Sequence, residues 1–284
     1  MRGSHAALIA GLAGASLAVA GGRPAEPRAG TAAAVEWNVV RPGLELGSFR
    51  MAAAGEGRWT RVILLHVDPV RYRLRLDAKL SEDLASAVWT VDSAPASAVA
   101  AWNAGQFNGI APWGWTVMDG LELRPPGVGP LSMAIVADGH GVVRLVEPDS
   151  IDAVRAAGGV MTALQSYPTL LTRDGEIPPQ IREPGRGVDV AHRDARLALG
   201  QRADGTLLVM LTRFDGLGEA GGEIPFGLTL GETAELLKAQ GAVHAVALDG
   251  GISSQLMVRG DTGAPRSWRA WRKVPVGIVL ETAP

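Results

Sequence analysis

The segment Ala245-Val246-Ala247-Leu248-Asp249-Gly250-Gly251-Ile252-Ser253-Ser254 carries more information about this chain than any other stretch. Its apolar first half is typical of a buried strand, and Asp249 follows where that strand would end. An acid followed by two glycines and two hydroxyls is unusually polar for a strand exit, which makes Asp249 a candidate catalytic carboxylate. Asp-Gly-Gly between apolar runs is also typical of a tight turn, so the segment needs support from the rest of the chain.

A well-marked helix precedes this segment. Thr229 and Glu232 form the pattern of a capping box, and Leu230, Ala234 and Leu237 recur on one helical face. Gly241 supplies the left-handed stop. The sequence therefore predicts a helix over 229–240 that leads directly into the apolar run 243–248.

Strand patterns dominate the remainder of the chain. The run 62–67 is continuously apolar, and Asp138-Gly139 and Asp204-Gly205 each separate two apolar runs, as in antiparallel hairpins. Two Ala-rich stretches, 81–88 and 94–101, have a weak helical pattern. These elements predict an α+β (mixed α/β) domain over 35–284, with a mixed, mainly antiparallel central sheet flanked by helices.

Composition excludes several classes of function. The formal net charge is -2, and no run of Lys or Arg is long enough to follow a nucleic acid backbone. Cysteine is absent and the five His residues are scattered singly, so no disulfide framework or zinc motif is present. We expect no nucleic acid partner and no required cofactor, while a divalent cation stays open.

The N-terminus predicts export. Residues 6–20 form a short apolar run after one Arg, and Ala18-Val19-Ala20 has the small-x-small form of a cleavage site. We interpret 1–20 as a signal peptide and 21–34 as a flexible tail, which leaves no membrane span after cleavage and a periplasmic or extracellular protein. An uncleaved anchor, a buried helix and the start of an expression tag are the alternatives.

Four segments, in order along the chain, resemble the phosphodiester glycosidase family. They are Asn103-Ala104-Gly105-Gln106-Phe107, Leu164-Gln165-Ser166-Tyr167-Pro168, Arg196-Leu197-Ala198-Leu199-Gly200 and Leu248–Ser254. The sequence departs from the more familiar family pattern at Ala104, Gln106 and Ile252, and is similar to a less characterised bacterial branch. The resemblance implies cleavage of the glycosidic bond of a sugar-1-phosphodiester, in cell-envelope or exopolysaccharide metabolism, with a small or polymeric sugar phosphate as substrate.

That chemistry assigns roles to particular residues. An anionic substrate needs a cation, and Arg196 is the candidate because a guanidinium binds two phosphate oxygens. The alternative is that Arg196 simply caps the edge of a strand in solvent. An oxocarbenium-like transition state needs a carboxylate, for which Asp249 is the best candidate, as nucleophile or as base for water. Asn103 would hydrogen-bond a sugar hydroxyl or orient the acid, unless it is an ordinary turn residue.

Further residues are predicted to line the same pocket. They are Gly105, Gln165, Ser166, Gly250, Gly251, Ser253, Ser254 and Asp215. Asp215 is a candidate second carboxylate, but Asp215-Gly216 also suits a turn. Trp102, Trp113 and Trp115 could stack on a sugar or belong to the core, and His192 could donate a proton. A non-catalytic carbohydrate- or envelope-binding module and a hydrolase of another class are the alternative functions.

Overall fold

The computed structural model describes residues 35–52, 59–215, 224 and 226–283, and this part of the chain is mostly antiparallel β-structure. The first sheet has the spatial order β1-β2-β3-β15-β14-β16-β13. Its strands are β1 Trp37–Arg41, β2 Leu44–Ala52, β3 Trp59–Val67, β13 Thr169–Leu171, β14 Leu197–Arg202, β15 Leu207–Phe214 and β16 Ala242–Ala247.

Two five-stranded sheets complete the framework. The second has the order β11-β10-β12-β8-β9, and the third has the order β18-β17-β5-β19-β4. The strands of the second are β8 Thr116–Met118, β9 Leu121–Arg124, β10 Met133–Asp138, β11 Val143–Val146 and β12 Val160–Ser166. The strands of the third are β4 Tyr72–Ala78, β5 Ala100–Asn103, β17 Leu256–Val258, β18 Arg266–Trp268 and β19 Val276–Thr282. A small hairpin pairs β6 Phe107–Asn108 with β7 Ala111–Pro112.

Local sequence signals explain several of these elements. The Asp138-Gly139 pair lies in the turn between β10 and β11, and Asp204-Gly205 lies in the turn between β14 and β15, so both predicted hairpins are confirmed. The predicted helix is α2, Leu230–Ala239, and the reciprocal capping hydrogen bonds of Thr229 and Glu232 are present.

The central core lies where the three sheets face one another. Alternate residues of β3 divide between two clusters: Ile63 and Leu65 join the central cluster with Trp102 and Ile135, whereas the intervening side chains pack in a second cluster with α2. Both faces of this strand are therefore buried, which explains its continuously apolar sequence.

The predicted flanking helices are only partly present. The described residues contain two α-helices, α2 and α1 Pro148–Ala157, and every strand pair in them is antiparallel. The fold is therefore mainly β, and the α+β description with a mixed sheet overstated the helices and the parallel pairing.

The Ala-rich stretches 81–88 and 94–101 are not helices. In the first, the Asp83 carboxylate accepts the Ala85 N–H and favours a turn. In the second, Pro95 removes a donor, and 100–103 form β5 in the middle of a sheet, where small apolar side chains are wholly buried. Tertiary packing outweighed the helix propensity of alanine.

The predicted signal peptide and tail, 1–34, lie outside the described residues. None of the helices that the structure describes is long and apolar enough to cross a membrane.

Candidate active site

The antiparallel pairing of β14 and β16 brings two polar segments to one rim of the first sheet. Ala198 near the start of β14 pairs with Ala247 at the end of β16. The residues just before β14 therefore lie beside the residues just after β16. These are Asp194, Ala195 and Arg196 on one side, and Leu248, Asp249 and Gly250 on the other.

The two glycines after Asp249 allow the turn to pack against the strand start. A Cβ on Gly250 would lie 2.8 Å from the Ala195 carbonyl oxygen, and one on Gly251 would lie 2.8 Å from Asp194 Oδ2. Gly251 also has a φ of +60°, a conformation that glycine adopts without strain. The glycine pair is thus required by a close approach.

Asn103 holds the other side of the turn. Its Nδ2 donates to the Asp249 carbonyl at 2.8 Å, and its Oδ1 accepts the Gln255 N–H at 2.9 Å. The side chain is wholly buried and is not among the residues that line the cavity beside Asp249. Of the two roles predicted for Asn103, the structure fits the one in which it positions Asp249, and it does not place Asn103 where it would contact a sugar in this cavity.

A cavity of about 280 Å³ opens at this rim, and both Asp249 and Arg196 line it. The remaining lining residues are Gln106, Tyr167, Pro168, His192, Asp194, Leu197, Leu230, Thr233, Ala247, Leu248 and Gly250. The lining combines two carboxylates and a guanidinium with an apolar wall, so the cavity offers both charged and apolar surface to a ligand.

Burial raises the pKa of the Asp249 carboxyl, and the neighbouring Asp194 carboxylate raises it further, while Ser253 and Arg272 oppose the rise. Its Oδ2 atom is buried and has no hydrogen-bond partner among the described residues. A carboxyl group held in this state is available to exchange a proton with a ligand.

Arg196 is held by backbone groups. Its Nε donates to the Leu228 carbonyl at 2.7 Å and its Nη2 to the His192 carbonyl at 2.6 Å. It makes no ion pair within the described ranges, and burial lowers its pKa from the ordinary value, an effect opposed by Asp194 and Glu232. The guanidinium is therefore fixed in place by neutral acceptors and retains its charge for an anion.

Asp194 is the residue that sequence reasoning missed. Its carboxylate lies 3.4 Å from His192 Nε2 and accepts the Ala195 N–H at 2.9 Å. The signal was present in the sequence, because an acid three residues before the start of β14 corresponds to Asp249, which lies two residues after the end of β16. Only the pairing of these two strands shows that the two acids share a cavity.

Gln165 and Ser166 are buried and serve the scaffold. The Gln165 amide bonds to the Trp115 and Gly127 N–H groups, the Gly127 carbonyl and the Ser132 hydroxyl, which uses its full capacity. Ser166 donates to the Ala247 carbonyl at 2.6 Å. Gly105 packs so closely on Ser166 that a Cβ at position 105 would lie 2.9 Å from the Ser166 Oγ. None of the three lines the cavity, contrary to the prediction.

Asp215 lies away from the cavity as well. Its buried carboxylate forms ion pairs with Arg50 and Arg61, and its N–H donates to the Trp59 carbonyl. The structure therefore does not place Asp215 among the residues that line this cavity, where it was predicted to bind substrate or to supply a second carboxylate. Two guanidiniums compensate its burial, which is a structural role.

The remaining predicted residues divide between the turn and the core. Ser253 and Ser254 are buried in the turn behind Asp249, and neither they nor Gly251 line the cavity. Trp102 and Trp115 are core residues. The Trp113 ring packs edge-to-face against the ring of Tyr167, with 4.7 Å between the ring centres, and Tyr167 lines the cavity. Within the described residues, no group of three or more His, Cys, Asp or Glu side chains is arranged to hold a metal ion.

Comparison with known proteins gives one family and related folds. The family model described as phosphodiester glycosidase matches residues 96–281. The catalytic domain of zebrafish N-acetylglucosamine-1-phosphodiester alpha-N-acetylglucosaminidase, auto-inhibited by its pro-peptide, is 20% identical. It has a TM-score of 0.65 over 90% of this chain and 91% of that chain. A hypothetical protein from Synechocystis is 17% identical, with a TM-score of 0.55 over 88% of this chain and 64% of that chain. No curated protein matches significantly by sequence.

Proposed function

This chain belongs to the phosphodiester glycosidase family, and we propose that it hydrolyses the glycosidic bond of a sugar-1-phosphodiester in the cavity at the sheet rim, beside the start of β14 and the end of β16. The observation that carries the proposal is that Asp249 and Arg196 line one cavity, with one buried oxygen of the acid unpartnered among the described residues. The apolar run and cleavage pattern of 1–20 support the further proposal that the enzyme is exported.

Arg196 binds the phosphodiester in this proposal. A phosphodiester carries a full negative charge, and its phosphate departs readily once the charge is compensated. Because the Arg196 guanidinium is anchored to two carbonyl oxygens, it binds the anion without first breaking an ion pair. After cleavage, the phosphomonoester product dissociates from Arg196.

Asp249 takes the proton of the attacking water. As water adds to the anomeric carbon, the bond from that carbon to the phosphate oxygen breaks and the water proton passes to the carboxylate. The raised pKa of Asp249 makes its ionised form a stronger base than an ordinary aspartate. Asp194, which lines the same cavity, stabilises the positive charge that develops on the sugar ring.

The test compares the wild type with Asp249→Asn on a sugar-1-phosphodiester that has a chromogenic leaving group. We expect Asp249→Asn to lose about 10³-fold or more in kcat, with a free sugar and a phosphomonoester as the wild-type products. Asp204→Asn is the matched control, because Asp204 lies in the turn at the opposite end of β14. Equal turnover by the wild type and Asp249→Asn would remove Asp249 from this role.

Product analysis also separates the alternatives. Release of a phosphate monoester and an alcohol without free reducing sugar would indicate a phosphoesterase. Binding of sugar phosphates with no turnover on a broad panel would indicate the non-catalytic binding module that the departures at Ala104, Gln106 and Ile252 suggest.

A further inference from the structure

A basic and aromatic segment runs beside the candidate active site. Residues 266–273 have the sequence Arg266-Ser267-Trp268-Arg269-Ala270-Trp271-Arg272-Lys273, with four cations and two tryptophans in eight positions. We call it the basic segment. All four of its cations are exposed. A short stretch that is both cationic and aromatic offers charge and flat apolar surface together.

Two of the guanidiniums lie over aromatic rings. The Arg266 guanidinium lies 4.9 Å from the centre of the Trp268 ring, and that of Arg272 lies 4.4 Å from the centre of the Phe107 ring. A ring orients a guanidinium but carries no negative charge to neutralise it. Arg269 differs from these two residues in having a carboxylate partner, because its Nε lies 2.6 Å from Asp92 Oδ2.

The backbone of the basic segment is anchored to the turn that carries Asp249. The N–H groups of Trp271 and Arg272 both donate to the Ile252 carbonyl, at 3.1 and 3.0 Å. The buried Arg213 joins the same two segments, since its Nη2 donates to the carbonyls of Ser254 and Arg269. The backbone of the basic segment therefore keeps a fixed position relative to the turn that carries Asp249.

The basic segment also leads outward from the cavity. Phe107, under Arg272, follows Gln106, which lines the cavity. From there the segment runs back to β18, which is the edge strand of the third sheet. The Trp271 side chain is 59% exposed. A chain leaving the cavity past Gln106 would meet Arg272, Trp271 and then the cations near β18.

We propose that the basic segment is an extended binding surface for a polyanionic glycan whose sugars are joined by phosphodiesters. This rests on the proposed function, because the terminal phosphate-linked sugar of the same polymer occupies the cavity. Successive phosphates bind Arg266, Arg272 and Lys273, and the sugar rings between them contact the tryptophans. The preferred substrate is then a polymer and not a small sugar-1-phosphodiester.

Binding is measured by calorimetry on the full chain carrying Asp249→Asn, which prevents turnover. The probes are a linear oligomer of phosphodiester-linked hexoses, hexose 1-phosphate, and a single-stranded oligonucleotide of the same charge. We expect the oligomer to bind at least about tenfold more tightly than hexose 1-phosphate, with the preference lost as ionic strength rises from about 0.05 M to about 0.5 M.

A triple variant, Arg266→Gln, Arg272→Gln and Lys273→Gln, tests the surface itself. We expect it to abolish the oligomer preference. Arg73→Gln, Arg124→Gln and Arg144→Gln together make the matched control, since they remove the same charge from β4, β9 and β11 at other sheet edges. An equal loss in the control, no preference in the parent protein, or tighter binding of the oligonucleotide would overturn the proposal.

Turnover of the small chromogenic substrate separates this proposal from the proposed function. If that substrate is hydrolysed but the oligomer binds no better than hexose 1-phosphate, the binding surface is refuted and the glycosidase activity stands. If no substrate is hydrolysed but oligomer binding depends on the three cations, the surface is supported and the hydrolysis is refuted.

Discussion

Replacing Asn103 with alanine tests how the turn around Asp249 is held. The substitution leaves the Asp249 carbonyl and the Gln255 N–H without their partners at 2.8 and 2.9 Å. Each unsatisfied buried backbone group costs about 1 to 2 kcal/mol, so we expect a loss of about 2 to 4 kcal/mol in the free energy of unfolding. Because the turn loosens, the Asp249 carboxyl becomes better solvated and its raised pKa falls toward the ordinary aspartate value.

Two measurements check the Asn103 prediction. Urea unfolding gives the stability loss, and Asn108→Ala is the control because Asn108 is an exposed amide in the neighbouring hairpin. The pH dependence of kcat/KM should show its acidic limb moving to lower pH in Asn103→Ala. A loss below about 1 kcal/mol together with an unchanged pH profile would refute the reasoning.

Three further substitutions give separate tests. Asp249→Asn should be more stable than the wild type near neutral pH, because the raised pKa of Asp249 means that folding disfavours its ionised form. The urea midpoints of the two proteins should converge as the pH falls below 3.8, the ordinary pKa of aspartate. An equal difference in midpoint at every pH would contradict this prediction. Gly251→Ala should lose more stability than Gly109→Ala. The two glycines have nearly equal φ angles, +60° and +61°, so the backbone strain is the same, but only a Cβ at position 251 would contact Asp194. Equal decreases in melting temperature would show that this contact costs nothing. Gln165→Ala should lower the free energy of unfolding, measured in urea, by about 2 to 4 kcal/mol, because four hydrogen bonds are lost. The folded variant should keep kcat/KM within about threefold of the wild type. A rise in KM alone would show that Gln165 contacts the substrate.

Local patterns predicted the elements whose causes are local. The Asp-Gly pairs at 138–139 and 204–205 gave two hairpins correctly, because turn chemistry depends on adjacent residues. The capping box at Thr229 located the start of α2 for the same reason. The position of Asp249 beside a cavity followed from a strand exit that is more polar than a turn requires.

Contacts between distant segments could not be predicted in this way. The four hydrogen bonds of Gln165 join it to Trp115, Gly127 and Ser132, which are at least 33 residues away, so its burial has no local signature. Asp215 looked like a turn residue or a catalytic acid because its partners, Arg50 and Arg61, lie on strands more than 150 residues earlier in the chain.

The strand that begins at the cavity ends in the turn at Asp204-Gly205, which is exposed at Asp204 and has open space around Gly205. The six residues of β14 separate this turn from the cavity by about 20 Å. A fluorescent dye or an immobilisation handle attached at this turn would label or tether the protein without crowding the rim that carries Asp249 and Arg196. Attachment at this turn would also leave the basic segment free for a polymeric ligand.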